Sequence, residues 1–131
     1  MTRELFVEES GPANLKAIFE DNGRVGYAYI LIDGEIKGDV WLYNHGAAPT
    51  LPEWENPELA PFKNPLEFAI TFSAPPSRET DIAIKWERQS DASVKALVYI
   101  RGKLLGVLRV GAKPGWAKLA KKDGPLAKVL P

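Results

Sequence analysis

A chain of 131 residues with 45% apolar and 26% charged side chains has an ordinary globular composition and buries about two-thirds of the surface its unfolded form exposes. It has no cysteine and one histidine, which excludes disulfide scaffolds, thiolate catalysis, iron–sulfur clusters and histidine-rich metal cages. Seventeen bases balance seventeen acids, but unevenly. Residues 1–60 carry eleven acids against four bases, and residues 61–131 six acids against thirteen bases. Interleaving of the two halves in one fold would cancel most of this field. Thr2, Arg3 and Glu4 stand where a signal peptide would place an apolar run, and no window approaches the ~20 apolar residues of a membrane helix. The expectation is a soluble cytoplasmic protein, a single domain over 1–131 with no membrane partner.

Period-two alternation with turn signals every ten residues or so predicts an all-β fold. A first strand is expected over Glu4–Glu8 and ends at Ser10-Gly11-Pro12. A second runs Leu15–Asp21, a third Arg24–Ile32 and a fourth Glu35–Tyr43. Asn22-Gly23 and Asp33-Gly34 between them are two-residue type I′ hairpin signals. The resulting meander places Ile18, Val25, Tyr27, Tyr29, Leu31, Ile36, Val40 and Leu42 on one face, the expected core side. The other face carries Leu15, Ala17, Phe19, Gly26, Ala28, Ile30, Asp39, Trp41 and Tyr43. Gly26 falls opposite both Phe19 and Trp41, so one of these rings is expected across the glycine gap.

From residue 44 to 65 the alternation stops. Five prolines (49, 52, 57, 61 and 65) and the run Pro52-Glu53-Trp54-Glu55-Asn56-Pro57-Glu58 predict a long loop rather than a central strand. Asn56 and Pro57 supply the cap and first position of one helical turn over Pro57–Phe62. Alternation returns at Leu66–Ser73, Asp81–Arg88, Val94–Arg101 and Leu104–Val110. The last two pair through Gly102-Lys103 as a type II′ turn, because arginine in a type I′ turn is strained. Within the C-terminal segment 111–131, Trp116–Lys122 has the composition of a short helix. The sum is an antiparallel, meander-rich sandwich or flattened barrel of about eight strands.

The chemistry-bearing residues are sparse. His45, in Asn44-His45-Gly46, has no Gly-x-Ser-x-Gly elbow or obvious nucleophile to serve. Glu53, Glu55 and Glu58 lie on a loop and Glu8-Glu9 straddle a strand, so neither set makes a facing carboxylate pair. No phosphate-binding loop or calcium loop is present. No catalytic residue, metal or cofactor is therefore assigned, and the expectation is a protein that is not an enzyme. Lys85, Arg88, Lys95, Arg101, Lys103 and Arg109, with Trp86 and Tyr99, hint at a nucleic-acid surface. Neutral net charge and an acidic first half argue against it, and Trp86 shares the parity of Ile82 and Ile84.

Two features favour a protein partner. The face bearing Phe19, Asp39, Trp41 and Tyr43 is too apolar for a plain solvent face; it is either a second inner face or a contact patch. The proline-stiffened loop presents Trp54 between Glu53 and Glu55, with Glu58 nearby, as an aromatic anchor with an anionic rim. Both suit a basic partner. The concrete expectation is a protein-binding module, a bacterial inhibitor of the immunity-protein kind that masks a toxin or enzyme. One alternative is a small-molecule-binding β-barrel or enzyme, its pocket lined by Tyr27, Tyr29, Phe68, Phe72 and Trp86. The other is a homodimeric structural component.

Overall fold

In the computed structural model, which describes residues 5–131, nine strands form two sheets. Strands β1 (Leu5–Ser10), β2 (Leu15–Asp21), β3 (Val25–Ile32) and β4 (Glu35–Asn44) make an antiparallel meander in chain order. Strands β5 (Ile82–Arg88), β6 (Val94–Ile100), β7 (Lys103–Arg109), β8 (Trp116–Ala117) and β9 (Lys128–Val129) make the second sheet, antiparallel except for the β8–β9 pair. The all-β expectation holds; the sheets do not close into a barrel. Phe19, Ile30, Val40 and Tyr43 from the first sheet share one core with Ile84, Val98, Ile100 and Leu108 from the second. Four backbone hydrogen bonds join β4 to the segment that follows β7, through Lys37, Asp39 and Trp41 to Gly111, Ala112, Gly115 and Leu126. The β4 edge of the first sheet is thereby covered.

The first expected strand begins at Glu4, outside the described residues; the structure has β1 from Leu5. The first hairpin pairs Asp21 with Gly26, two places beyond the expected register. The Oδ1 atom of Asn22 accepts from the amides of Arg24 and Val25 at 2.9 and 3.0 Å, and Gly23 takes the positive φ of 86°. A shift of two preserves the faces. Asp33-Gly34, at φ 50° and 83°, forms the expected type I′ turn.

On β2 and β3 the core side is the reverse of the expectation, whereas on β4 Val40 and Leu42 are buried in the core as expected. Ala17, Phe19, Ala28, Ile30 and Tyr43 face inward and are buried, whereas Ile36 is 47% exposed and Ile18 and Tyr29 are half-buried on the outside. A bulge beside Leu31 moves the β4 register by one, and a second beside Tyr27 moves it by one more, which brings the alternation of faces back into phase. Val40 thus aligns with Ala28, while Asp39 and Trp41 align with Tyr29 and Tyr27. The inner face is the one with small residues, because the second sheet approaches it closely. A β-carbon at Gly38 would lie 2.6 Å from the Arg109 carbonyl oxygen. A ring does lie over Gly26, but it is that of Tyr43 and not of Phe19 or Trp41, because the β4 bulges pair Tyr43 with the glycine.

Three other expectations are corrected. Leu66–Ser73 forms no strand; among the described residues its ladder contact is the Ala69–Ala120 bridge, and the Phe68 amide turns back to the Pro65 carbonyl where the strand is expected to begin. The β6–β7 turn is Arg101-Gly102, at φ 47° and 80°. Arginine is held there because its amide donates to the Asp81 carbonyl at 2.7 Å and its guanidinium to the Ala74 carbonyl. The expected helix at Trp116–Lys122 is instead β8 followed by turns, since pairing with β7 satisfies backbone groups that a short helix would leave frayed. The turn at Pro57–Leu59 is a 3₁₀ turn with Asn56 capping the Glu58 amide.

Candidate functional site

The long loop is a packed flap. Glu53 pairs with the Arg24 guanidinium, and its other oxygen accepts from the Lys63 amide at 2.8 Å. The Lys63 ammonium donates to the His45 carbonyl at 2.7 Å, and Tyr27 donates its hydroxyl to the Phe62 carbonyl at 2.8 Å. Trp54 stands edge-on to Phe68, ring centres 5.9 Å apart. Of the residues expected to meet a partner, Glu53 and Trp54 are therefore half-buried in flap contacts, and Glu55 and Glu58 are exposed. Phe19, Trp41 and Tyr43 are wholly buried and offer no surface. Of the two readings this face allowed, Phe19 and Tyr43 take the inner-face one, and Trp41 is linked to the flap through Asn44 and Asn64.

Asp39 lies half-buried on the outer face. Burial raises its carboxyl above the ordinary value of 3.8, against the pull of Lys113. The folded chain holds that proton more tightly than the unfolded chain, so ionisation costs stability as pH rises past 3.8. Asp39→Asn is expected to raise the melting temperature at neutral pH. The gain should vanish below pH 3.8, and thermal melts that show a constant gain across that range would contradict the assignment.

The flap closes only one end of the outer face of the first sheet. Register aligns Phe6, Glu20, Tyr27 and Trp41 in a first row, Glu8, Ile18, Tyr29 and Asp39 in a second, and Ser10, Lys16, Leu31 and Ile36 in a third. The flap reaches the Tyr27–Trp41 end through Phe62 and Asn64. Phe6, Ile18, Tyr29, Leu31 and Ile36, with Glu20, line an open depression of about 260 Å³. Phe6 and Ile36 are each nearly half exposed. Glu8, paired with Lys16 at 2.9 Å, Glu20 and Asp39 give this patch an acidic surround. Tyr27 and Tyr29 stack at 6.1 Å. Burial pushes both phenols well above their ordinary range, as Glu20 also does for Tyr29, so they remain neutral donors.

A second constellation was not legible from spacing. Asp21, 3% exposed, accepts from the Tyr43 hydroxyl at 2.5 Å, from Nε2 of His45 at 2.7 Å and from the Gly23 amide at 2.7 Å. Burial, with Asp21 next to it, drives the Tyr43 phenol well above its usual range. Among the described residues, the hydrogen bonds of the His45 ring go to Asp21 alone. The 24-residue separation of Asp21 and His45 hides this pairing from the sequence. The arrangement ties the β2–β3 turn to the start of the flap and brings no nucleophile to the imidazole.

The residues of the expected barrel pocket do not converge. Tyr27 and Tyr29 face out of the first sheet, Phe68 lies against Trp54, and Phe72 stands 5.2 Å from Tyr43. Trp86 covers Gly11 and donates to the Ser10 carbonyl at 3.1 Å. Among the described residues no helix is long and apolar enough to cross a membrane. Compared with models of protein families, with curated proteins and with solved structures, the chain matches none.

Proposed function

We propose that this chain is a protein-binding module that docks its partner on the open outer face of the first sheet. The observation that carries the reading is the contiguous patch of Phe6, Ile18, Tyr29, Leu31 and Ile36, left uncovered beside a flap that covers the same face elsewhere. An exposed apolar patch with a polar rim is what a protein contact requires. Its acidic surround favours a basic partner, with Glu55 and Glu58 of the flap available as a further anionic rim. The finer form is an inhibitor of the immunity-protein kind, which masks a basic toxin or enzyme.

The test is capture from host lysate with the native chain and with Tyr29→Ala/Ile36→Glu as baits. A stoichiometric basic partner whose affinity falls about 30-fold or more in the variant is the expected result, the loss of a contact centre costing ~2 kcal/mol or more. A partner retained by the variant removes this face from the argument. Sedimentation of the pure chain as a dimer that the variant dissociates would replace the partner with a second copy.

A further inference from the structure

The outer face of the second sheet has the opposite character. Register places Lys85, Leu97, Val107, Trp116 and Lys128 in one row across β5–β9. Glu87, Lys95 and Arg109 form a parallel row on the same face, and Ala83, Tyr99 and Leu104 another. Cations and rings are interleaved. The Lys85 ammonium lies 5.3 Å from the centre of the Tyr99 ring, and that of Lys128 lies 5.0 Å from Trp116. Beside Trp116 a shallow pocket of about 130 Å³ is lined by Lys95, Val107, Arg109, Leu130 and Pro131. Glu87 is the only acid within these five strands, and it is paired with Lys95 at 3.6 Å.

Neutral net charge does not cancel this face. The chain does not interleave its halves: residues 5–44 make one sheet and residues 82–129 the other. The acidic and basic outer faces thus lie on opposite sides of a sandwich. Packed sheets stand about 10 Å apart before outward side chains are added, and charges are screened over about 8 Å at physiological salt. A ligand on one face is largely insulated from the other.

We infer that the outer face of the second sheet binds single-stranded nucleic acid. Bases stack on Trp116 and Tyr99, while phosphates meet Lys85, Lys95, Arg109 and Lys128. Aromatic platforms between cations match unpaired bases on a charged backbone. A duplex, its bases already stacked, gains only the cations. On binding, Lys85 and Lys128 swing from the ring faces to neighbouring phosphates, which frees the rings for bases. The inference is independent of the proposed protein contact, which uses the other sheet.

The test is fluorescence anisotropy of the full chain with labelled oligo-dT and oligo-U, with heparin and duplex DNA as competitors. Binding to both single strands at low salt is expected, with a log–log salt slope of about −3 for four neutralised phosphates. Lys95→Glu/Arg109→Glu should abolish it. Trp116→Ala and Tyr99→Ala should each weaken strand binding about tenfold while leaving heparin binding unchanged. Because Trp116 belongs to β8, Tyr99→Ala carries the result if Trp116→Ala lowers the melting temperature. Tyr29→Ala/Ile36→Glu, on the opposite sheet, should have no effect. No binding at low salt overturns the inference, as does binding that neither aromatic variant weakens, which would be polyanion attraction alone. Self-association abolished by the same reversal at Lys95 and Arg109, with no strand bound, would assign the face to the acidic sheet of another copy.

Discussion

Asp21→Ala is expected to lower the unfolding free energy by about 3 kcal/mol, an effect out of proportion to one turn-flanking aspartate. The carboxylate is buried and satisfies three donors from three places in the chain: Tyr43, His45 and Gly23. Removing it leaves the Tyr43 hydroxyl without a partner in a fully buried position, which costs about 1–3 kcal/mol. The bond that holds Gly23 in its turn adds about 1 kcal/mol. The His45 ring is 28% exposed and is an ion-pair partner only when protonated, so its loss adds least. Tyr43→Phe made alone and with Asp21→Ala closes a double-mutant cycle. Coupling near zero in urea melts would show that the 2.5 Å contact contributes no stability of its own.

The strands of the meander were legible because each lies between turn residues that act locally. Asp33-Gly34 fixed its hairpin, and Leu15–Asp21 has the expected bounds. The inward face was legible on β4 at Val40 and Leu42 but not on β2 and β3, for a physical reason. Both faces are apolar, so bulk suggested Tyr27, Tyr29, Leu31 and Ile36 as core. A second sheet approaching closely selects the opposite face, where Ala17, Gly26, Ala28 and Gly38 make room. The bulges in β4, which decide where Asp39 and Trp41 point, leave no mark in a two-residue repeat.

The candidate surfaces were partly legible for the same reason. Glu55 and Glu58 are exposed as a loop reading implies. Glu53 is not free because Arg24, 29 positions away, neutralises it. The basic face could be read as a composition but not as a surface. Trp86 lies on the Ile82–Ile84 side of β5, as its parity implies, and Trp116, expected in a helix, supplies the ring on this face. Only strand pairing puts Trp116 beside Val107 and Lys128.

Trp41→Ala is expected to cost about 3–5 kcal/mol and to release the flap before the sheets melt. The ring is fully buried, and its Nε1 donates to Oδ1 of Asn44 at 2.9 Å. That oxygen also accepts the Asn64 amide at 3.0 Å, and Nδ2 of Asn44 donates to the Asn64 carbonyl at 2.9 Å. One indole thus orients the side chain that anchors the end of the flap. The anchor is poorly buffered, because among the described residues the buried side-chain amide of Asn64 has no hydrogen-bond partner, a cost of about 1–3 kcal/mol. Local opening should therefore begin there. Trp41→Phe, which keeps an apolar ring but removes the Nε1 donor, should lower stability by about 1–2 kcal/mol. Limited proteolysis separates the outcomes. Cleavage within residues 46–60 at temperatures where β2 and β3 amides stay protected from exchange supports a flap pinned by Trp41. A chain that becomes cleavable everywhere at once would instead make the flap part of the cooperative core. It would then serve the first sheet as a structural lid, and Glu55 and Glu58 would be fixed in place before any partner arrives.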